Sequence, residues 1–162
     1  MSFDPRTFRK ALGCFPTGVT IVTTLGNDSL RIGVTVSSFT SVSLSPPLVL
    51  FCLDDKNSGL EAFRQNGHFA VNVLSEDQKD LSALFSDRKH DKWTGVAFES
   101  WSSGVPIIDG CVANFECALV DVLDGGDHRI FIGRVERMRY LEGAKPLVYC
   151  RGGYAELKIT AK

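Results

Sequence analysis

Between Cys111 and Tyr140 the chain writes two long strand-like runs, CVANFECALVDVL and RIFIGRVERMRY, on either side of one short turn, DGGDH. Acidic residues and paired glycines favour a tight reversal. The alternation of Ile130, Ile132 and Val135 beyond it fits a strand with one face inward. Two such runs joined so closely can pair only as antiparallel neighbours, and the rest of the chain repeats the device. VTIVTTL (19–25) is rich in β-branched residues; the turn NDS (27–29) returns it into LRIGVTVSSF (30–39). PLVLFCL (47–53) follows a double proline and is apolar throughout, which predicts a strand buried on both faces. HFAVNVL (68–74) and PLVYCRGGYAELK (146–158) supply further strands.

Three short helices interrupt this pattern. Asp4 and Pro5 read as an N-cap and first-turn proline, with Phe8, Ala11 and Leu12 as an apolar stripe and Gly13 as the stop. SGLE (58–61) and SEDQ (75–78) have capping-box spacing. They predict helices that turn Leu60 and Phe63, and then Leu81, Leu84 and Phe85, inward. No linker or repeat divides residues 1–162, so one mainly β domain is expected: a closed antiparallel barrel flanked by short helices, with a sandwich as the alternative.

Bulk properties remove several function classes. A net charge of −1 with scattered Lys and Arg offers no basic face for nucleic acid. The longest uninterrupted apolar run, 48–53, is far too short to span a bilayer, and MSFDPRTFRKALG lacks the apolar core of a secretory leader. Five cysteines without a CxxC pair fit free thiols in a reducing cytoplasm. The three histidines lack ligand spacing with them, so no metal site is expected.

Four stretches could carry chemistry. Thr35, Ser37, Ser38, Thr40, Ser41, Ser43 and Ser45 crowd one strand end. Small hydroxyls there suit a phosphate or ribityl chain, and an exposed Ser/Thr-rich loop fits the composition equally. Lys56, Asn57 and Ser58 precede a helix start, where an anion is favoured. Thr17 and Gly18 join the first helix to the first strand, where glycine would let a flat ring approach the backbone. His128 stands where the DGGDH turn enters its strand. No Ser/His/Asp arrangement or carboxylate pair is legible, and neither GxGxxG nor GxxxxGK[ST] occurs. A chain without a nucleophile suits hydride transfer, in which a cofactor carries the chemistry and the protein aligns it.

Five segments in order, FRKALGCFPTGVTIVTT, GVTVSSFTSVSLSPPLVLFCL, NSGLEAFRQNGHFAVNVLSEDQKDLSALFS, GDHRIFIGRV and PLVYCRGGYAEL, cover almost the whole chain. They resemble the short-chain flavin reductases, the small reductase components of two-component flavin-dependent monooxygenases. The resemblance implies a six-stranded antiparallel split β-barrel, usually a homodimer. It would bind FAD or FMN, oxidise NADH or NADPH, and hand reduced flavin to an oxygenase partner. By the same resemblance, Thr35, Val36, Ser37 and Ser38 hold the ribityl chain and phosphate. Gly18 and Val19 flank the isoalloxazine, and Cys52, Leu53, Asn57 and Ser58 lie near the flavin phosphate. Phe85 and Ser86 fall where relatives often carry Phe-Ala-Gly; this chain has Phe-Ser-Asp. Gly126, Asp127 and His128 match a nicotinamide-site signature, with His128 orienting the nicotinamide, and Tyr154 could stack on a ring. A flavin-dependent reductase of another acceptor, such as a corrinoid or ferric chelate, and a non-catalytic flavin binder stay open. So do FAD versus FMN and NADH versus NADPH.

Overall fold

The computed structural model describes residues 4–87 and 91–158. Its elements are α1 (Pro5–Leu12), β1 (Thr17–Gly18), β2 (Thr20–Leu25), β3 (Arg31–Val36), β4 (Thr40–Leu44), β5 (Pro47–Asp54), α2 (Leu60–Gln65), β6 (His68–Val73), α3 (Lys79–Ser86), β7 (Phe98–Ser100), β8 (Pro106–Ile108), β9 (Ala113–Asp124), β10 (His128–Tyr140), β11 (Val148–Cys150) and β12 (Gly153–Ala155). The main sheet is antiparallel throughout, in the order β3-β2-β6-β9-β10-β5-β4. β1, β11 and β12 form a small side sheet, and β7 pairs with β8.

The sheet curls because six of its strands feed one core. Val22 of β2, Val36 of β3, Val49, Phe51 and Leu53 of β5, Phe69 and Val71 of β6, Cys117 of β9 and Phe131 of β10 pack together, with Phe63 of α2 added from outside the sheet. Phe51 stacks on Phe131 with centroids 4.9 Å apart and meets Phe69 edge-on at 5.0 Å. Across the seam between β3 and β5, whose Val36 and Leu53 share the core, one side chain also makes two backbone bonds. Just beyond β3, the Ser38 hydroxyl accepts from the Cys52 N–H at 2.9 Å and donates to the Cys52 carbonyl at 3.0 Å. That seam is the split of a split barrel. The seventh strand, β4, pairs only with β5.

Local differences from the sequence reading have physical reasons. In β5, Val49, Phe51 and Leu53 are buried, but Leu48, Leu50 and Cys52 are only half-buried, so the strand is covered fully on one face. α1 forms as predicted, with Asp4 Oδ2 accepting from Thr7 N at 2.8 Å, yet none of its residues is buried and Phe8 and Leu12 stay exposed. The first capping box does not form. α2 begins after Gly59, whose N–H donates to Asn57 Oδ1 at 2.8 Å, so Asn57 shapes the turn in place of Ser58. The second is half made: Gln78 Oε1 accepts from Ser75 N at 3.0 Å, but α3 starts only at Lys79. Among the described residues, no helix is long and apolar enough to cross a membrane.

Candidate functional site

A cavity of about 890 Å³ opens along β3, between the turn before α2 and the end of α3. It lies near the upper end of the range of about 300–1,000 Å³ seen for small-molecule sites. Of the residues selected from sequence, Thr35, Val36, Ser37, Ser38, Cys52, Leu53, Asn57, Ser58, Phe85, Ser86 and His128 all line it. Segments scattered over nearly a hundred residues of chain are thus brought to one wall. Gly18, Val19 and Tyr154 are not among the lining residues. Val19 is buried in a second core cluster with Ile21, Leu74 and Phe85. The Tyr154 hydroxyl donates to Ser82 Oγ at 3.0 Å on α3.

The hydroxyl row is not uniform. Thr35 Oγ1 donates to the Ser82 carbonyl at 2.8 Å, tying β3 to α3, and Ser38 holds the seam. Ser86 Oγ donates within its own helix to the Ala83 carbonyl at 2.7 Å. Ser37 and Ser58 are exposed to the cavity, and neither side chain has a hydrogen-bond partner among the described residues. Asn57 uses its oxygen on Gly59, which leaves its amide N–H₂ to donate. Three cations join them at the wall, Arg31, Lys56 and Lys92, with Asp54 and Asp87 as the acidic counterpart. Lys92 Nζ donates to the Phe85 carbonyl at 3.1 Å. Burial pulls its pKa below the ordinary lysine value, and Asp87 partly restores it.

The wall is kept flat by a glycine. A Cβ on Gly33 would lie 2.6 Å from Phe85 Cδ1, so the Phe85 ring rests directly on the β3 backbone. Trp93 meets Phe85 edge-on at 5.0 Å and Phe98 at 5.4 Å.

His128 opens β10 opposite Asp54 of β5. Its Nδ1 lies 2.7 Å from Asp127 Oδ1, a contact that holds the Asp127 carboxyl below its usual pKa. With Nδ1 facing the carboxylate, the other ring nitrogen is left for a ligand. The hairpin carrying it is clamped to the loop after β5. Asp55 N donates to the Asp127 carbonyl at 3.1 Å, and Arg129 Nε and Nη2 reach Asp55 at 2.9 and 3.3 Å. The Cys52 thiol is no competing nucleophile, because burial raises its pKa despite the Ser38 contact.

Arg31, Lys56, Asp54, Asp87, Lys92 and Trp93 complete the wall. Of these, sequence reasoning had marked only Lys56, for its place before a helix. Arg31, Lys92 and Trp93 carry no motif spacing; the one local hint is the charged-aromatic DKW that follows an apolar helix.

The residues present fit a flavin. A long cavity offers unpaired hydroxyls and cations for a phosphate-bearing tail, apolar faces from Leu53 and Phe85 for a ring, and an imidazole at one end. A split barrel with such a wall suits a protein that holds a nucleotide-like cofactor and leaves the chemistry to it. The family model described as "Flavin reductase like domain" matches residues 12–158, and the chain belongs to that family. The reductase subunit HsaB of a flavin-dependent monooxygenase from Mycobacterium tuberculosis is 42% identical over 157 residues, covering 96% of this chain and 83% of HsaB. The FMN reductase (NADH) SmoA of Agrobacterium fabrum is 44% identical over 151 residues, covering 93% of this chain and 85% of SmoA. Streptomyces globisporus C-1027 NADH:FAD oxidoreductase SgcE6, solved in complex with NAD and FAD fragments, superposes with a TM-score of 0.92 at 36% identity. The match covers 100% of this chain and 99% of that one.

Proposed function

We propose that this chain is an NAD(P)H-dependent flavin reductase that delivers reduced FAD or FMN to an oxygenase component. The observation that carries the reading is that one cavity gathers Ser37, Ser58, Asn57, three cations and His128. A bound flavin would supply the chemistry, accepting a hydride at N5 from nicotinamide C4. The chain's own task is alignment. Ser37, Ser58 and the Asn57 amide donate to the flavin tail, and Lys56 offsets its phosphate charge. Thr35 and Ser38 act one step back, fixing β3 against α3 and β5. Val36, Cys52 and Leu53 border the ring and ribityl chain, and Phe85 and Ser86 close the far side. His128, its Nδ1 held by Asp127, turns Nε2 to the nicotinamide carboxamide, where it accepts from the carboxamide N–H₂ and fixes which face meets the flavin. Gly18, Val19 and Tyr154 support this wall from outside it, Tyr154 by bracing α3 through Ser82.

The chain works as a homodimer. Supporting this, α1 leaves Phe8 and Leu12 exposed at 51% and 58%, and Leu44 on the edge strand is 94% exposed. Five free cysteines support a reducing, cytoplasmic setting.

The test is oxidation of NADH and NADPH by purified, folded protein with FAD or FMN added. Flavin-dependent turnover is expected with at least one nucleotide; its absence with both overturns the reading. Flavin binding without turnover would indicate a carrier. Faster turnover with a ferric chelate or corrinoid than with free flavin would indicate a different acceptor. Equilibrium sedimentation checks the dimer.

A further inference from the structure

β3 runs the length of the cavity. From Arg31 to Ser37, at about 3.3 Å per residue, it covers about 20 Å. The Ser38 end lies beside Cys52 and the β5 end that faces His128. The Arg31 end is built differently. The Arg31 guanidinium lies over the Phe98 ring, 4.9 Å from its centroid, and 5.9 Å from the Trp93 centroid. Trp93 is pinned edge-on between Phe85 and Phe98, and Lys92 adds a half-buried ammonium to the same stretch of wall. The turn carrying Asn57 and Ser58 reaches this end too: a Cβ on Gly59 would lie 2.7 Å from Ile32 Cγ2, the neighbour of Arg31.

The anion-friendly turn therefore stands beside a second set of groups that a mononucleotide does not need. A fixed indole offers a planar surface for a purine. An arginine and a lysine at its side suit a second phosphate.

Resting on the flavin reductase reading, we infer that Arg31, Lys92 and Trp93 form a subsite for the adenylate portion of FAD, which makes FAD the preferred flavin over FMN. The same adenylate chemistry occurs in NADH. Continuity with the Asn57–Ser58 turn along one cavity assigns it to the flavin. The nearby carboxylates, Asp87 beside Lys92 and Asp91 close to Arg31, keep the unliganded subsite from carrying an uncompensated charge.

The test is isothermal titration of the flavin-free protein with FAD, FMN and AMP. FAD should bind about ten-fold or more tighter than FMN, as one stacked base and one charged contact imply. AMP should compete with FAD and not with FMN. Arg31→Gln, at an exposed strand end, should bring the FAD Kd to within about three-fold of the FMN value and leave FMN binding unchanged. Trp93→Ala should do the same; circular dichroism checks its folding, because Trp93 also packs on Phe85. Equal affinity for both flavins in the wild type overturns the subsite. So does an Arg31→Gln variant that loses both alike, or one that weakens NADH binding while sparing FAD. A folded protein that binds neither flavin removes the flavin reductase reading itself, which is a different result from binding both equally.

Discussion

Ser38→Ala separates what a hydroxyl does for the barrel from what it does for a ligand. Ser38 Oγ takes the Cys52 N–H at 2.9 Å and gives its proton to the Cys52 carbonyl at 3.0 Å, so one side chain satisfies both backbone groups of a half-buried residue. β3 and β5 are not ladder neighbours, so no sheet ladder replaces these bonds. An unsatisfied buried donor or acceptor costs about 1–3 kcal/mol. Both Cys52 groups face a cavity that water enters, which holds the combined loss to about 1.5 kcal/mol. For a chain of this size that is a fall in Tm of about 3–6 °C. Ser37→Ala is the internal control, one residue away, exposed and without a partner. It should move stability by less than about 0.5 kcal/mol. It should still weaken flavin binding roughly ten-fold, the value of one hydrogen bond to a charged group. Urea unfolding by far-UV circular dichroism gives the first quantity and flavin titration the second. If the two variants lose equal stability, or Ser38→Ala loses none, the seam is not held by Ser38 and the separation of roles fails.

Three further outcomes follow from the geometry. His128→Ala should raise the nicotinamide KM roughly ten-fold while the flavin Kd stays within about two-fold; equal loss of both in steady-state and binding measurements would make the histidine structural. Gly33→Ala places a Cβ against Phe85 and should cost about 1–3 kcal/mol by overpacking, with weaker flavin binding because the ring tips into the cavity. Unchanged Tm and Kd would show that the ring is not seated on β3. Glu116 is buried, and burial alone would raise its pKa, but bonds from Ser103 N, Ser103 Oγ and Ser102 Oγ at 2.9, 2.6 and 2.9 Å bring it below the ordinary value. A depressed carboxyl stabilises the fold above its unfolded value near 4.5, and that contribution disappears as pH falls through the folded value. Glu116→Gln should therefore lower Tm at pH 7 and flatten the fall of Tm below about pH 4.5; an unaltered acid limb in a thermal series would refute the assignment.

The parts of this protein legible in sequence are those whose physics is local. The β9–β10 hairpin is written in a tight turn and alternating apolar residues, and it forms where that pattern puts it. α1 is written in Asp4 and Pro5. What local pattern does not contain is whether its stripe is buried, and within one chain Phe8 and Leu12 stay exposed. The capping boxes depend on where each helix starts. Asn57 Oδ1 takes the Gly59 N–H and α2 begins only after Gly59, while Gln78 Oε1 makes its half of the second box on Ser75 N but α3 begins only at Lys79. Membership in a family then ordered features that composition alone left ambiguous, such as the histidine in a turn and the crowd of serines.

The site shows the sharper limit. Composition registers Thr35, Ser37 and Ser38 as one hydroxyl-rich stretch, yet alternation along the strand end sends them to different work. Thr35 faces α3, Ser38 reaches across the seam, and only Ser37 is left for a ligand. A polar run at a strand end thus reads twice, as ligand chemistry and as the means of closing a barrel whose edge strands do not pair. Arg31 and Trp93 are invisible for the opposite reason. They sit on separate segments, with their relation created only when Phe85 seats on Gly33 and brings α3 and the chain after it against β3. Beside the DKW stretch, Gly33 is the residue that signals this approach. A glycine inside a β-branched strand is unfavourable unless something must approach its backbone, and here the approaching ring fixes the wall on which both ends of the cavity depend.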